Sequence, residues 1–292
     1  MTTRRYAQFR HALHGDRPLV LDGATGTVAL GRGLAEDRNV AALNLVAAEA
    51  VTAIHRAYID AGADIISTNT FCADRLSQSR YGFEDKVTAL NEADVRLALA
   101  AAAEAGREVF VAGTIGPAFG ASREDVEDAM AEQAEALVRG GVDLLLVETV
   151  MAADVLDATL CAISRVRRER GCDIPVVVSM YVDCRTGRLA DGHLPQDILD
   201  VVRGFEPEAV GFNCGDDPEA LLSVALRFAE VSPYPLVVYP SAGLPDSHGR
   251  YGVTPSLFAD AFARFLAQCR PGIIGGCCGT TPAHIAALAE KL

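Results

Sequence analysis

The sequence contains no tryptophan, and aromatic residues make up only 6% of it. An aromatic cage around a quaternary ammonium would have to be built from Tyr and Phe alone. Long apolar runs are also missing. No stretch is long enough to span a bilayer, and the opening Met1-Thr2-Thr3-Arg4-Arg5 lacks an apolar signal core. A soluble, cytoplasmic protein is the expectation. Positive charge is scarce: 26 Lys and Arg stand against 39 Asp and Glu, for a net charge of −13. That balance argues against a nucleic-acid backbone or a membrane surface as partner. The one basic cluster, Arg165-Val166-Arg167-Arg168-Glu169-Arg170, is expected at a solvent-facing helix end, where cations suit the helix dipole. No linker, low-complexity segment or short-period repeat interrupts the chain, so residues 1–292 read as one domain.

What is present is a regular alternation. Short runs rich in Val, Ile and Leu occur at 19–22, 64–69, 109–113, 143–148, 175–179, 209–213, 236–239 and 272–275. They are continuous rather than alternating, as expected for strands buried on both faces of a parallel sheet. Between them, residues 46–61, 86–105, 123–140, 154–170, 218–230 and 255–268 carry apolar residues at helical spacing. A shorter helix is expected near 194–204, and a last one behind Thr281 as N-cap with Pro282 at its first position. Eight strand–helix units predict a (β/α)8 TIM barrel with its active site at the C-terminal ends of the strands. An open doubly wound sheet is the alternative, but no Gly-x-Gly-x-x-Gly turn follows the first strand.

Eight cysteines in a cytoplasmic protein are expected to be thiols or metal ligands rather than disulfides. Three stand out. Cys277 and Cys278 lie in Gly275-Gly276-Cys277-Cys278-Gly279-Thr280, and Cys214 lies in Gly211-Phe212-Asn213-Cys214-Gly215. Each group follows an apolar run, and the flanking glycines permit the sharp bend that would bring neighbouring thiols together. The alternative for the vicinal pair is two small buried hydrophobes or a strained disulfide. Three thiolates would bind Zn²⁺ and leave one coordination position open, the mark of catalytic rather than structural zinc. A substrate thiol in that position would lose its proton yet stay nucleophilic, which suits attack on an alkyl group. Asp22 and Glu148, at the ends of the first and fourth runs, could hold an ammonium group. The loop beginning Gly23-Ala24 offers backbone N–H groups for a carboxylate. Thiol, ammonium and carboxylate together describe an amino-acid thiol. An Asp/Glu pair of the glycosidase type is conceivable but leaves the cysteines unexplained. Asn69, Cys72, Asn213 and Ser241 are candidates for accessory roles at the same rim, and Cys184 also lies on a rim loop. His55 reads as a helix-face residue, His193, His248 and His284 as poor ligand candidates, and Cys161, Cys172 and Cys269 as structural.

These residues resemble the zinc-dependent homocysteine S-methyltransferase family, which includes the homocysteine-binding module of cobalamin-dependent methionine synthase. The resemblance runs from Asp22-Gly23-Ala24-Thr25-Gly26-Thr27 through Ala63-Asp64-Ile65-Ile66-Ser67-Thr68-Asn69-Thr70-Phe71, Gly116-Pro117 and Val147-Glu148-Thr149. It continues with the motif around Cys214, Ala242-Gly243-Leu244-Pro245 and the Gly-Gly-Cys-Cys-Gly-Thr element. It implies a (β/α)8 barrel, zinc held by Cys214, Cys277 and Cys278, and L-homocysteine held by Asp22, Glu148 and the first loop. Two departures stand out. Ser241 occupies a position where relatives of methionine synthase carry an asparagine that resembles a fourth zinc ligand. Cys72 lies where betaine-using members carry a tyrosine, and their C-terminal arm is absent, so betaine is disfavoured. The expected reaction is methyl transfer to L-homocysteine, giving methionine. Since the sequence ends after the barrel, the expected donor is a small sulfonium, S-methylmethionine or S-adenosylmethionine. The alternatives are a methyl group delivered by a separate corrinoid protein, another small thiol or selenol as acceptor, and a thiol-binding subunit with structural zinc.

Overall fold

Buried apolar runs separated by amphipathic helices fold here into a ring of parallel strands. The computed structural model describes residues 4–35, 38–118 and 122–292; Met1, Thr2 and Thr3, read above as part of a segment without a signal core, lie outside them. The strands are β1 (Leu19–Val20), β2 (Ile65–Ser67), β3 (Phe110–Ile115), β4 (Leu144–Val150), β5 (Val176–Met180), β6 (Ala209–Cys214), β7 (Leu236–Pro240) and β8 (Ile273–Ile274). Neighbours in sequence pair in parallel from β2 to β8, and β1 pairs with β8. A bridge between Leu21 and Ile65, with the Asp22 N–H 2.9 Å from the Ile65 carbonyl oxygen, brings β1 against β2. The result is a nearly closed (β/α)8 barrel, and the doubly wound sheet is ruled out because β1 has neighbours on both sides.

Twelve α-helices accompany the strands among the described residues: α1 (Arg4–Leu13), α2 (Thr25–Gly31), α3 (Leu43–Val46), α4 (Ala48–Asp60), α5 (Arg75–Gln78), α6 (Val87–Ala103), α7 (Arg123–Gly140), α8 (Ala153–Arg170), α9 (Pro195–Val202), α10 (Pro218–Ala229), α11 (Pro255–Leu266) and α12 (Pro282–Ala289). Their ends follow local chemistry. The Ser122 side chain caps α7 and Gly141 ends it in the left-handed region, so α7 spans the predicted 123–140. Asp217 and Thr254 cap α10 and α11, each followed by proline at the first position. The helix expected from residue 46 starts only at Ala48, because Ala47 (φ −142°, ψ 44°) separates α3 from α4. No single helix is long and apolar enough to cross a membrane.

Side chains alternate between two cores, as strand geometry requires. In β4, Leu144 and Leu146 join an inner cluster with Leu19, Ile65, Phe110 and Ile273, while Leu145 and Val147 face the helices. The unpredicted α1 closes the bottom of the inner cluster. Its residues Tyr6, Phe9 and Leu13 share one face, and Phe9 meets Phe110 edge-on at 5.6 Å. Burying a ring of that size stabilises by roughly 1.5–3 kcal/mol. Arg5 bonds Asp143 with two 2.8 Å contacts, and Arg10 reaches Glu208 at 2.6 Å. Both acids precede strands, so α1 lies across the N-terminal end of the barrel. The candidate residues lie at the opposite end, beyond the C-terminal ends of the strands.

Candidate active site

The loops after β1, β6, β7 and β8 are tied to one another by backbone hydrogen bonds. The Gly276 N–H reaches the Asp22 carbonyl at 3.1 Å, Cys277 reaches Pro240 at 2.8 Å, Ser241 reaches Cys214 at 2.9 Å, and Ala242 reaches Cys278 at 2.8 Å. This lattice brings three cysteines that are far apart in sequence into one cluster. The sulfurs of Cys214, Cys277 and Cys278 lie within 4.8 Å of one another, the one such group of potential metal ligands among the described residues. Cys214 takes a left-handed backbone (φ 67°) at the end of β6, followed by Gly215 (φ 81°). Gly279 is left-handed as well (φ 77°), and a Cβ there would fall 2.1 Å from the Tyr251 ring. The bend expected around the Cys-Cys pair is therefore real, and only glycine fits beside Tyr251.

The cluster fits a metal. A tetrahedral set with metal–sulfur bonds of about 2.3 Å places its sulfurs ~3.8 Å apart, and Cys214 and Cys278 are 3.7 Å apart. The donor set of three soft thiolates suits zinc. Hydrogen bonding from Cys277, Cys278 and the Ser241 hydroxyl (3.3 Å) pulls the Cys214 thiol well below its ordinary range. Hydrogen bonding with Cys214, together with burial and its negative charge, pushes the Cys277 and Cys278 thiols up. Ser241 thus touches the cluster as a hydrogen-bond donor. Asn213, fully buried, also meets it, with its amide nitrogen 3.7 Å from the Cys277 sulfur.

Two carboxyl groups share this end of the barrel. Part of Glu148 remains accessible, but protein surrounds its carboxyl, and burial pushes the pKa up to about 8. The negative charges of Cys214 and Asp22 add to the rise, while a 3.0 Å hydrogen bond from the Tyr239 hydroxyl opposes it. Asp22 is 1% exposed, and burial raises it to about 7. Its two oxygens accept from the Ser67 N–H and hydroxyl, both at 2.8 Å. Neither carboxyl has a cationic side chain within ion-pair distance among the described contacts. Gly23 approaches closely, since a Cβ would meet Thr280 Oγ1 at 2.7 Å and the Tyr58 ring at 2.8 Å. The Ala24 N–H reaches Thr280 Oγ1 at 3.2 Å, which joins the first loop to the Cys-Cys turn.

Other predicted residues go elsewhere. The Asn69 amide donates to the Val40 carbonyl (2.9 Å) and Asn44 Oδ1 (2.8 Å), so it braces the rim and does not join the sulfurs. Cys72 and Cys184 lie outside the three-sulfur group. Cys72 is exposed as a residue, yet its thiol is raised to about 11, by burial first and then by the charges of Asp74 and Glu148. His55 is on a helix, as read, but fully buried, with Nε2 3.2 Å from Asp94 Oδ1. His284 is occupied at the start of α12, bonding Thr281 and the Val253 carbonyl. Sequence reasoning assigned no role to Tyr239, Ser179 or Thr149. Their position at the ends of consecutive runs was the only available signal.

Comparison with known proteins agrees with this geometry. Residues 19–292 match the family model for homocysteine S-methyltransferase. The metallated form of the homocysteine methyltransferase MmuM from Escherichia coli superposes with a TM-score of 0.81 at 28% identity, over 97% of this chain and 99% of that one. Its apo form gives 0.74 at 28% identity, over 96% and 98%. A putative phosphonomutase from Burkholderia cenocepacia, 15% identical over 93% of this chain and 90% of that one with a TM-score of 0.51, shares the fold alone. The chain belongs to the homocysteine S-methyltransferase family.

Proposed function

We propose that this protein transfers a methyl group from a sulfonium donor to the thiol of L-homocysteine, forming methionine, with Cys214, Cys277 and Cys278 holding a zinc ion. The observation that carries this reading is the group of three thiols, all within 4.8 Å, beside two buried carboxyls at the open end of the barrel. Zinc held there would take the substrate thiol as its fourth ligand and lower that thiol's pKa below its free value of about 8.5, so that it is nucleophilic at neutral pH.

The chain's own groups bind and orient the amino acid. Glu148 and Asp22 receive the ammonium group. Without a cation each holds its proton to near or above neutrality, and the incoming ammonium draws it into the charged form with release of that proton. The Tyr239 hydroxyl holds the Glu148 carboxyl, and Ser67 holds that of Asp22. The Gly23-Ala24 turn supports the substrate carboxylate through its backbone, and any side chain at Gly23 would displace that turn. The substrate sulfur then attacks the methyl carbon of S-methylmethionine or S-adenosylmethionine. The donor's carbon–sulfur bond breaks and the donor leaves as a neutral thioether, so no general acid is required. A cationic donor is drawn to a mouth lined by thiols and carboxyls in a chain of net charge −13. Eight free thiols are consistent with a reducing, cytoplasmic setting.

Zinc-loaded, reduced protein is offered homocysteine with S-methylmethionine, S-adenosylmethionine, betaine or methylcobalamin in separate reactions. Methionine is expected from the sulfonium donors. Methionine from methylcobalamin alone would overturn the donor assignment, and failure to bind zinc would overturn the site.

A further inference from the structure

We infer that Asn213 is a positioning residue that couples the two halves of the site, the sulfur cluster and the Glu148 carboxyl. The inference deepens the functional reading above and rests on it. Asn213 lies near the end of β6 and is fully buried. Its Oδ1 accepts from the Thr149 N–H at 2.9 Å and the Ser179 hydroxyl at 2.8 Å. Its Nδ2 donates to Thr149 Oγ1 at 2.8 Å and approaches the Cys277 sulfur at 3.7 Å. Both donors and both acceptor positions of the amide are used. Three contacts reach β4 and β5, and the fourth reaches a thiol beyond β8.

What Asn213 holds on β4 is irregular. The register with β5 shifts between Val147 and Val150, and Thr149 has φ 60°. A left-handed backbone is rare for a β-branched residue. Only four non-glycine residues with positive φ occur among the described residues, and Thr149 and Cys214 are the two at this site. The consequence is visible in the side-chain alternation. Leu144 and Leu146 point into the barrel, and Glu148 continues that series. The bulge at Thr149 ends it and returns Val150 to the outer core. Bulges of this kind re-aim strand side chains beside active sites. Glu148 is thereby the last inward residue of β4, and the Thr149 N–H and hydroxyl that anchor the bulge both bond Asn213.

On the sulfur side, an amide N–H directed at a ligating thiolate fixes its orientation, and such supporting groups set metal affinity by about 10–100-fold. One side chain therefore sets the distance between the group proposed to bind the substrate ammonium and a sulfur proposed to bind the metal.

The test compares Asn213→Ala, Thr149→Ala and the double variant. Zinc affinity is read by competition with a chromophoric chelator and homocysteine Kd by calorimetry, so neither measurement needs turnover. Melting curves verify the fold. Asn213→Ala is expected to weaken zinc about tenfold or more and to weaken homocysteine as well. Thr149→Ala, which removes one neutral hydrogen bond, is expected to weaken homocysteine about fivefold and leave zinc affinity unchanged. The double variant should bind homocysteine no worse than Asn213→Ala, because both act through one contact. Wild-type zinc affinity in Asn213→Ala, or multiplied effects on homocysteine in the double variant, overturns the coupling. If Asn213→Ala does not fold, an unchanged homocysteine Kd in Thr149→Ala overturns it. Failure of the wild type to form methionine with any donor is a separate result and counts against the functional reading.

Discussion

A buried carboxyl with no cationic partner destabilises a fold once it ionises. Among the described residues Glu148 is such a group, raised from an ordinary 4.5 to about 8 mainly by burial. Between those values the folded protein holds a proton that the unfolded chain has lost, so this residue's contribution to stability falls as pH rises from 4.5 to 8. Glu148→Gln removes the penalty and keeps an acceptor for Tyr239. The metal-free variant is expected to melt several degrees above the metal-free wild type at pH 8, with the difference closing toward pH 5. A variant that melts lower at pH 8 would contradict the burial account. Its homocysteine KM should rise by about 10–100-fold, the range for a lost charged hydrogen bond. Cys278→Ala acts on the other half of the site. It removes a sulfur 3.7 Å from that of Cys214, and metal analysis after dialysis should find less than a tenth of the wild-type zinc.

At the scale of elements, the site depends on how closely neighbouring strands and turns approach. A Cβ at Gly211 in β6 would lie 1.8 Å from the Val237 carbonyl oxygen in β7, a backbone atom that cannot swing aside. Gly211→Ala must therefore separate the strands that carry Cys214 and lead to Ser241. Overpacking of this kind costs about 1–3 kcal/mol, and more where backbone must move. Denaturant unfolding should show that loss, together with weaker zinc binding. Gly26 in α2 is the contrast, since a Cβ there would meet no heavy atom within 4 Å. Gly26→Ala should be neutral or should raise stability by up to ~1 kcal/mol through helix propensity. Equal effects from the two substitutions would show that close strand approach is not what Gly211 provides.

At the scale of the molecule, the three sulfurs come from the end of β6 and the turn after β8, which the parallel pairing of β6, β7 and β8 brings together. A metal that binds this arrangement and not the unfolded chain raises stability with its concentration. Zinc should therefore increase the melting temperature of the wild type, a chelator should lower it, and Cys278→Ala should respond to neither. A wild-type melting temperature indifferent to zinc would place the metal outside the folded site. At the other end of the barrel, α1 packs on the inner core through Phe9 and the Arg5–Asp143 pair.

Much of this was legible without coordinates. The eight strands are continuous Val/Ile/Leu runs because both faces of a barrel strand are buried, and α7 spans the 123–140 that its helical spacing predicts. The Cys-Cys pair and Cys214 stood out because glycines frame them at strand ends. Short helices such as α3 and α5 were not legible, since a few residues carry too little periodicity. Nor was α1, whose apolar face has meaning only against the bottom of a closed barrel. Asn69 and Asn213 are both asparagines at strand ends, and sequence alone could not tell them apart. One braces Val40 and Asn44, and the other joins Thr149, Ser179 and Cys277. The strand count, the barrel and the identity of the three clustered cysteines were all readable along the chain, because burial periodicity and glycine-framed turns are local properties. Which polar groups face the sulfurs, how Thr149 bends and what holds Glu148 emerged from the folded ring alone, because those contacts join strands that lie tens of residues apart.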